Sequence, residues 1–296
     1  MRAAFALSRY ELRWLLSGWR GLGVLAAMAF FIVTALDIPQ PNRIILNEPN
    51  PYNHPLHPSL LDVVPIVLAR DVAAFGMHLL SALLLGVALT AEDRERGGAW
   101  VTLHRVGGWR RYWLSKAISL ALICVLVVVV SVVLILVLAP FAGFKPSFAP
   151  SDYTTYPDMY REIPRLDVAP GVEAVLLALV RIPVLLPVAA FGALLGLLIR
   201  SRTVAYALAS ALLVAHFAIS PMLDSLISDN SGLSALAWQY RIDPILQIKW
   251  QQHFCGASSF SSPDCISWWW KAQLAVWAGA ALWALRAAMA RRELVA

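Results

Sequence analysis

Charge is scarce in this sequence. Of its 296 residues 14% are Asp, Glu, Lys or Arg and 59% are apolar, whereas a soluble globular domain carries about 25% charged and 45–50% apolar residues. Several apolar runs reach the roughly 20 residues that cross a bilayer core, so the composition predicts an all-α polytopic membrane protein forming one domain over 1–296. Sites of covalent chemistry are also missing. There is no Gly-x-x-x-x-Gly-Lys-Ser/Thr phosphate loop, which excludes ATP binding and hydrolysis by this chain in the usual way. His-Glu-x-x-His and Gly-x-Ser-x-Gly are absent as well, and no paired ionisable groups stand at bilayer depth as an intramembrane enzyme would need. His54 and His57, with no cysteine or carboxylate beside them, read as ordinary loop residues rather than metal ligands. The N-terminus lacks the short basic region, apolar core and small-residue cleavage site of a cleavable signal peptide.

What charge there is has a pattern. The net charge is +6, and the basic residues gather at the edges of the apolar runs, as membrane orientation and anionic headgroups require. A nucleic-acid partner is excluded on that ground. Residues 1–20 read as an interfacial helix, because at about 100° per residue Arg2, Arg9, Arg13 and Arg20 fall on one side. Six spanning helices are expected after it, near 21–36, 72–91, 117–138, 171–199, 203–226 and 268–288. Between them lie three outer segments, 40–71, 141–170 and 227–267, a charged inner segment, 92–116, and a tight inner turn at Arg200–Arg202. Inner segments hold 15 of the 24 Lys and Arg and the longer outer loops hold 7, an asymmetry that places both termini inside. Trp268, Trp269 and Trp270 form an outer aromatic belt.

Segment 92–116 is the most informative. Glu92, Asp93, Arg94, Glu95 and Arg96 alternate in sign before Gly97 and Gly98. Ala99, Trp100 and Leu103 follow at helical spacing, Gly107 and Gly108 break the pattern, and Arg105, Arg110, Arg111 and Lys116 close it. Such a stretch predicts a short helix lying flat on the inner surface. It resembles the first cytoplasmic loop of ABC-2 type transporter permeases, where an acidic and basic run ends in Gly-Thr, continues as an apolar helix and closes with a basic patch and Gly-Lys. Here Gly98 stands where Thr is common and Ser115 where Gly is common. The N-terminal Glu11-Leu12-Arg13 also resembles the family's amphipathic helix, and the Arg-Ser turn at 200–202 its connection between the fourth and fifth helices. A lipid-anchoring helix in which Glu11 faces nothing is the alternative reading of residues 1–20.

The resemblance implies a six-helix permease of a bacterial plasma-membrane exporter, with 92–116 as cytoplasmic coupling loop and no cofactor of its own. It implies two copies of a cytoplasmic ATPase carrying ATP and Mg, and a homodimer or a closely related second permease, all set in membrane lipid. The implied coupling residues are Glu11, Arg13, Glu92, Asp93, Arg94, Glu95, Arg96, Gly97, Gly98, Leu103 and Arg105. The rival from another class is an ATPase-independent secondary transporter or scaffold; secondary transporters often show repeated halves with interrupted helices, and no such repeat is visible here. His78, Arg181 and His216 are candidate polar groups inside the bundle. Arg181 either snorkels to the headgroups or faces a wet cavity.

Cys255 and Cys265 share the third outer segment, an oxidising location, and are expected to form a disulfide. Closing so short a loop stabilises it by roughly 2–3 kcal/mol in the chain-entropy view. Mass spectrometry of the unreduced protein is expected to recover one cross-linked peptide; finding both thiols alkylated would overturn the pairing.

Overall fold

The computed structural model describes residues 2–17, 19–37, 60, 63–64, 67, 78–95, 108–142, 170–229 and 268–293. Among the described residues the chain is all helical: α1 (Arg2–Leu15), α2 (Trp19–Asp37), α3 (Ser81–Glu95), α4 (Trp109–Leu138), α5 (Pro170–Leu198), α6 (Arg202–Asp229) and α7 (Trp268–Glu293). Residues 78–80 are wound as a π-turn leading into α3, and Ala139–Ala142 form a 3-10 turn after α4.

Helix α1 owes its position to one stripe. Ala4, Ser8, Glu11 and Leu15 are buried while Phe5, Arg9, Tyr10 and Arg13 are exposed. That 4-3-4 spacing keeps the buried residues on one face, which packs on α4. Helix α2 likewise turns Met28, Ile32 and Leu36 inward. Among the described helices the largest interface is between α3 and α5; α5 also packs on α4 and α7, and α3 on α4 and α6. Helices α3, α4 and α5 therefore form the centre.

Small residues make the α3–α5 contact possible. A Cβ at Gly86 would land on the Ala189 carbonyl, one at Gly192 on the Leu83 carbonyl, and one at Gly196 would sit 2.6 Å from the Val87 oxygen. The hydrogens that occupy those positions point at the facing carbonyls, the arrangement of weak Cα–H···O contacts between close-packed helices. Thr90 Oγ1 adds a hydrogen bond, donating to the Ala193 carbonyl at 2.6 Å. Gly86 meets Ala189 and Thr90 meets Ala193, so the two helices run in parallel.

Among the described residues two helices are long and apolar enough to cross a membrane, Trp109–Ala142 and Arg181–Leu198. Four shorter apolar stretches accompany them among the described residues, Gly21–Thr34, His78–Ala91, Arg202–His216 and Ala275–Ala290. At about 1.5 Å per residue each is short of the roughly 30 Å of a hydrocarbon core.

The element boundaries correct the sequence reading in two places that matter. The N-terminal helix stops at Leu15, not at Arg20, which already belongs to α2. Segment 92–116 is not all connection, since α3 runs on to Glu95 and α4 begins at Trp109. Gly108, at φ 118°, supplies the left-handed backbone that starts α4. The physical reason is that charged and aromatic residues are compatible with helix, so a change from apolar to charged composition does not mark the end of the helix.

Candidate functional site

The early start of α4 carries Lys116 into the bundle. Seven residues beyond Trp109, it lies about 10 Å along the helix and is fully buried, at 0% exposure. A buried ammonium needs a counter-charge and acceptors, and both are present. Its Nζ lies 2.6 Å from Oε1 of Glu11 on α1 and donates a hydrogen bond to the Leu89 carbonyl on α3 at 3.0 Å. The Tyr112 ring centroid is 5.2 Å from the same nitrogen, one turn back on α4, near enough for a cation–π contribution. Ser119 Oγ donates to Glu11 Oε2 at 2.6 Å. One turn along α1, Ser8 Oγ lies 2.9 Å from both the Ala4 and Ser115 carbonyls. Polar groups of α1, α3 and α4 thus converge on one charge pair and fasten the amphipathic helix to the two helices that flank the charged segment.

A second contact ties the same end of α4 to α7. The guanidinium of Arg286 lies 5.3 Å from the Trp109 ring centroid and 5.7 Å from that of Trp113, a cation held against two aromatic faces. Arg110 and Arg111 in the first turn of α4 are exposed.

The expected coupling residues divide into groups. Glu11 is 7% exposed; its carboxylate is turned into the protein, so any contact with a partner runs through the helix it positions rather than by direct pairing. Arg13 is exposed on the opposite side of α1. Glu92, Asp93, Arg94 and Glu95 form the last turn of α3. Arg96, Gly97, Gly98, Leu103 and Arg105 lie outside the described residues, as do Cys255 and Cys265. The third cysteine, Cys124, is a buried free thiol on α4. His216 is half-buried on α6. His78 and Arg181 are both buried, at 0% and 5% exposure, so Arg181 turns into the bundle instead of outward. No group of three His, Cys, Asp or Glu side chains gathers among the described residues.

A lateral cavity of about 470 Å3 opens between α2, α3 and α6. Gly23, Ala27, Leu84 and Ala88 are among its apolar walls, with Arg202 and Tyr206 from the start of α6.

Sequence reasoning singled out Glu11 but missed Lys116, Ser119 and Leu89, the residues the structure gathers around it. The available signal was Ser115-Lys116 followed by Ser119 on one face of an otherwise aliphatic helix, a polar stripe that lipid contact would not favour. Gly192-x-x-x-Gly196 and Ala82-x-x-x-Gly86-x-x-x-Thr90 likewise have the small-residue spacing of tightly packed membrane helices. No protein-family model matches this chain, and no curated protein matches it.

Proposed function

We propose that this chain is the membrane-spanning permease subunit of an ATP-driven exporter of the ABC-2 type, with α2 to α7 as its six transmembrane helices and α1 lying at the cytoplasmic interface. In this reading it works as a dimer of permeases with two copies of a separate cytoplasmic ATPase, which holds ATP and Mg. The observation that carries the reading is the buried Glu11–Lys116 pair. An exporter driven from outside the membrane needs the surface its motor touches to be mechanically continuous with the helices that line the path. Here α1 and the first turns of α4 are bound to each other and to α3 at Leu89, which leads into the charged segment. A load applied to the segment or to Arg9 and Arg13 on α1 is therefore passed to α3 and α4, and through the close α3–α5 contact to the centre of the bundle. The chain contributes no covalent step. Its part is to convert displacement at the inner surface into rearrangement of helices around an apolar path.

The test uses Glu95→Lys. Glu95 ends α3, outside the apolar stretch, so the reversal leaves membrane insertion unchanged while removing an acceptor for a basic residue of the partner. Losing one member of a hydrogen-bonded charge pair across an interface costs about 2–5 kcal/mol. Co-purification of the ATPase and substrate-stimulated ATP hydrolysis are both expected to fall more than tenfold. Wild-type values for both would mean that the segment is a topological marker, and the reading would lose its support.

A further inference from the structure

The cavity between α2, α3 and α6 takes no part in the Glu11–Lys116 joint, and its small residues serve a different end from those of the α3–α5 contact. At Gly86 and Gly192 the missing Cβ lets backbone meet backbone, whereas a Cβ added at Gly23 would meet nothing within 4 Å. Gly23 and the exposed Ala27 therefore leave space open on the α2 side. Leu84, Leu85 and Ala88 of α3 form the floor. Since α2 packs on α4 while α6 packs on α3 and α5, the two walls are held by different neighbours and stand apart across that floor. From Leu80 to Ala88 the floor runs along two turns of α3, about 12 Å, and the cavity volume of about 470 Å3 is that of an ordinary ligand site. Beside it α2 exposes Leu22 and Leu25, and α6 exposes Val204 and Leu208. The mouth is thus continuous with apolar helix faces. Polar side chains on the lining are few, Ser81 at the Leu80 end and Arg202, Thr203 and Tyr206 in the first turns of α6.

A space of this kind has to be filled. Water is not stable where most of the wall is aliphatic, because it needs two to four polar partners, and a void forfeits the dispersion contacts of every atom that lines it. We infer that the cavity holds one acyl chain of a membrane phospholipid, which enters through the lateral mouth between α2 and α6 and lies along the floor of α3. The inference rests on the membrane-spanning part of the permease reading and requires no ATPase. Lipid tails are as apolar as leucine, so the chain gains little by leaving the bilayer; what retains it is the contact area on three helices that would otherwise be empty. Its headgroup lies at the end marked by Arg202, Thr203 and Tyr206, beside the inner turn at 200–202. Retention comes from the chain, so the site does not depend on how Arg202 is paired. The lipid joins α2 to α3 and α6 as a side chain would, and Gly23 is the position whose side chain it replaces.

The experiment places the full chain in vesicles of phosphatidylcholine and phosphatidylglycerol that contain a little phosphatidylcholine with a diazirine on its acyl chain. Illumination attaches the probe to whatever it touches, and mass spectrometry of the peptides locates the adducts. Wild type is expected to carry adducts on Leu84, Leu85 or Ala88 of α3 as well as on Val129 and Val133, which α4 exposes. Leu85 and Ala88 are otherwise buried, so a label there has come through the cavity. Gly23→Phe is expected to lower the ratio of α3 to α4 adducts about tenfold, because the ring takes the space of the chain, while Gly23→Ala keeps the wild-type ratio. Ala27→Leu, one turn along the same wall, is expected to lower it as well, which keeps the test decisive if Gly23→Phe fails to fold. Label on α4 but none on α3 of wild type would overturn the inference, since protein, a second copy or another segment of this chain, would then cover the cavity. An undiminished α3 label in both filled variants would overturn it too. Absence of label from α4 as well would remove the membrane placement itself. No ATPase is present, so a failure confined to α3 leaves the permease reading standing, and failure of the co-purification test leaves the labelling result intact.

Discussion

Glu11→Ala is expected to lower the stability of the full chain by about 3–5 kcal/mol, the usual effect of removing one member of a buried ion pair. Lys116, at 0% exposure, would keep its hydrogen bond to the Leu89 carbonyl but lose the Glu11 carboxylate, and taking a counter-charge from a buried ammonium is costly. Lys116→Met removes the cation and leaves the carboxylate with Ser119 alone, so it should cost a similar amount. The double variant Glu11→Leu, Lys116→Met removes both charges and substitutes apolar volume, and it should lie well above either single variant, since an ion pair replaced by well-packed apolar side chains is often neutral. Thermal unfolding in detergent gives all three values. A double-variant loss equal to the sum of the singles would show that the two groups do not interact. If the pair transmits load as proposed, the restored double variant should still couple poorly to ATP hydrolysis, because a packed apolar contact lacks the directional hydrogen bonds through Leu89 and Ser119. Stability and coupling then separate.

Gly86→Val is the second large effect. Its Cβ would fall on the Ala189 carbonyl, which is backbone and cannot rotate away, so α3 and α5 must move apart. Forced overpacking of a tight interface costs about 1–3 kcal/mol or more. Separation also breaks the Thr90–Ala193 hydrogen bond, worth about 0.6–2 kcal/mol between membrane helices. The protein is expected to be lost from the folded fraction or to melt far below wild type. Gly279→Ala provides the contrast: nothing lies within 4 Å of a Cβ there, and the better helix propensity of alanine, about 1 kcal/mol in a helix interior, predicts a small gain. Equal melting of Gly86→Val and wild type would mean that the α3–α5 contact is not this close.

Helical class and the order of apolar elements were legible because they depend on local composition. The run from Ala117 to Leu138 needs no partner to be recognised as helix, because its apolar length alone exceeds what crosses a bilayer core. The identity of Lys116 was not legible in the same way. Its residue type and its place beside a basic patch belong equally to an inner loop, and only a neighbour brought from more than a hundred positions away distinguishes a buried cation from a surface one. Glu11 shows the same limit: as an acid on an amphipathic helix it reads as an intrusion on the apolar side, and its counter-charge is what makes the position intelligible.

Composition, the spacing of apolar runs and the positions of basic residues determined by themselves that this chain is helical and apolar enough to be expected in a membrane, because those properties sum over neighbours in sequence. Only the tertiary structure decided that Glu11 meets Lys116, that Thr90 meets the Ala193 carbonyl, and that glycines on α3 and α5 stand opposite carbonyls. Each of these joins residues on different helices, and their attraction or collision depends on distances of a few ångströms that no local pattern encodes.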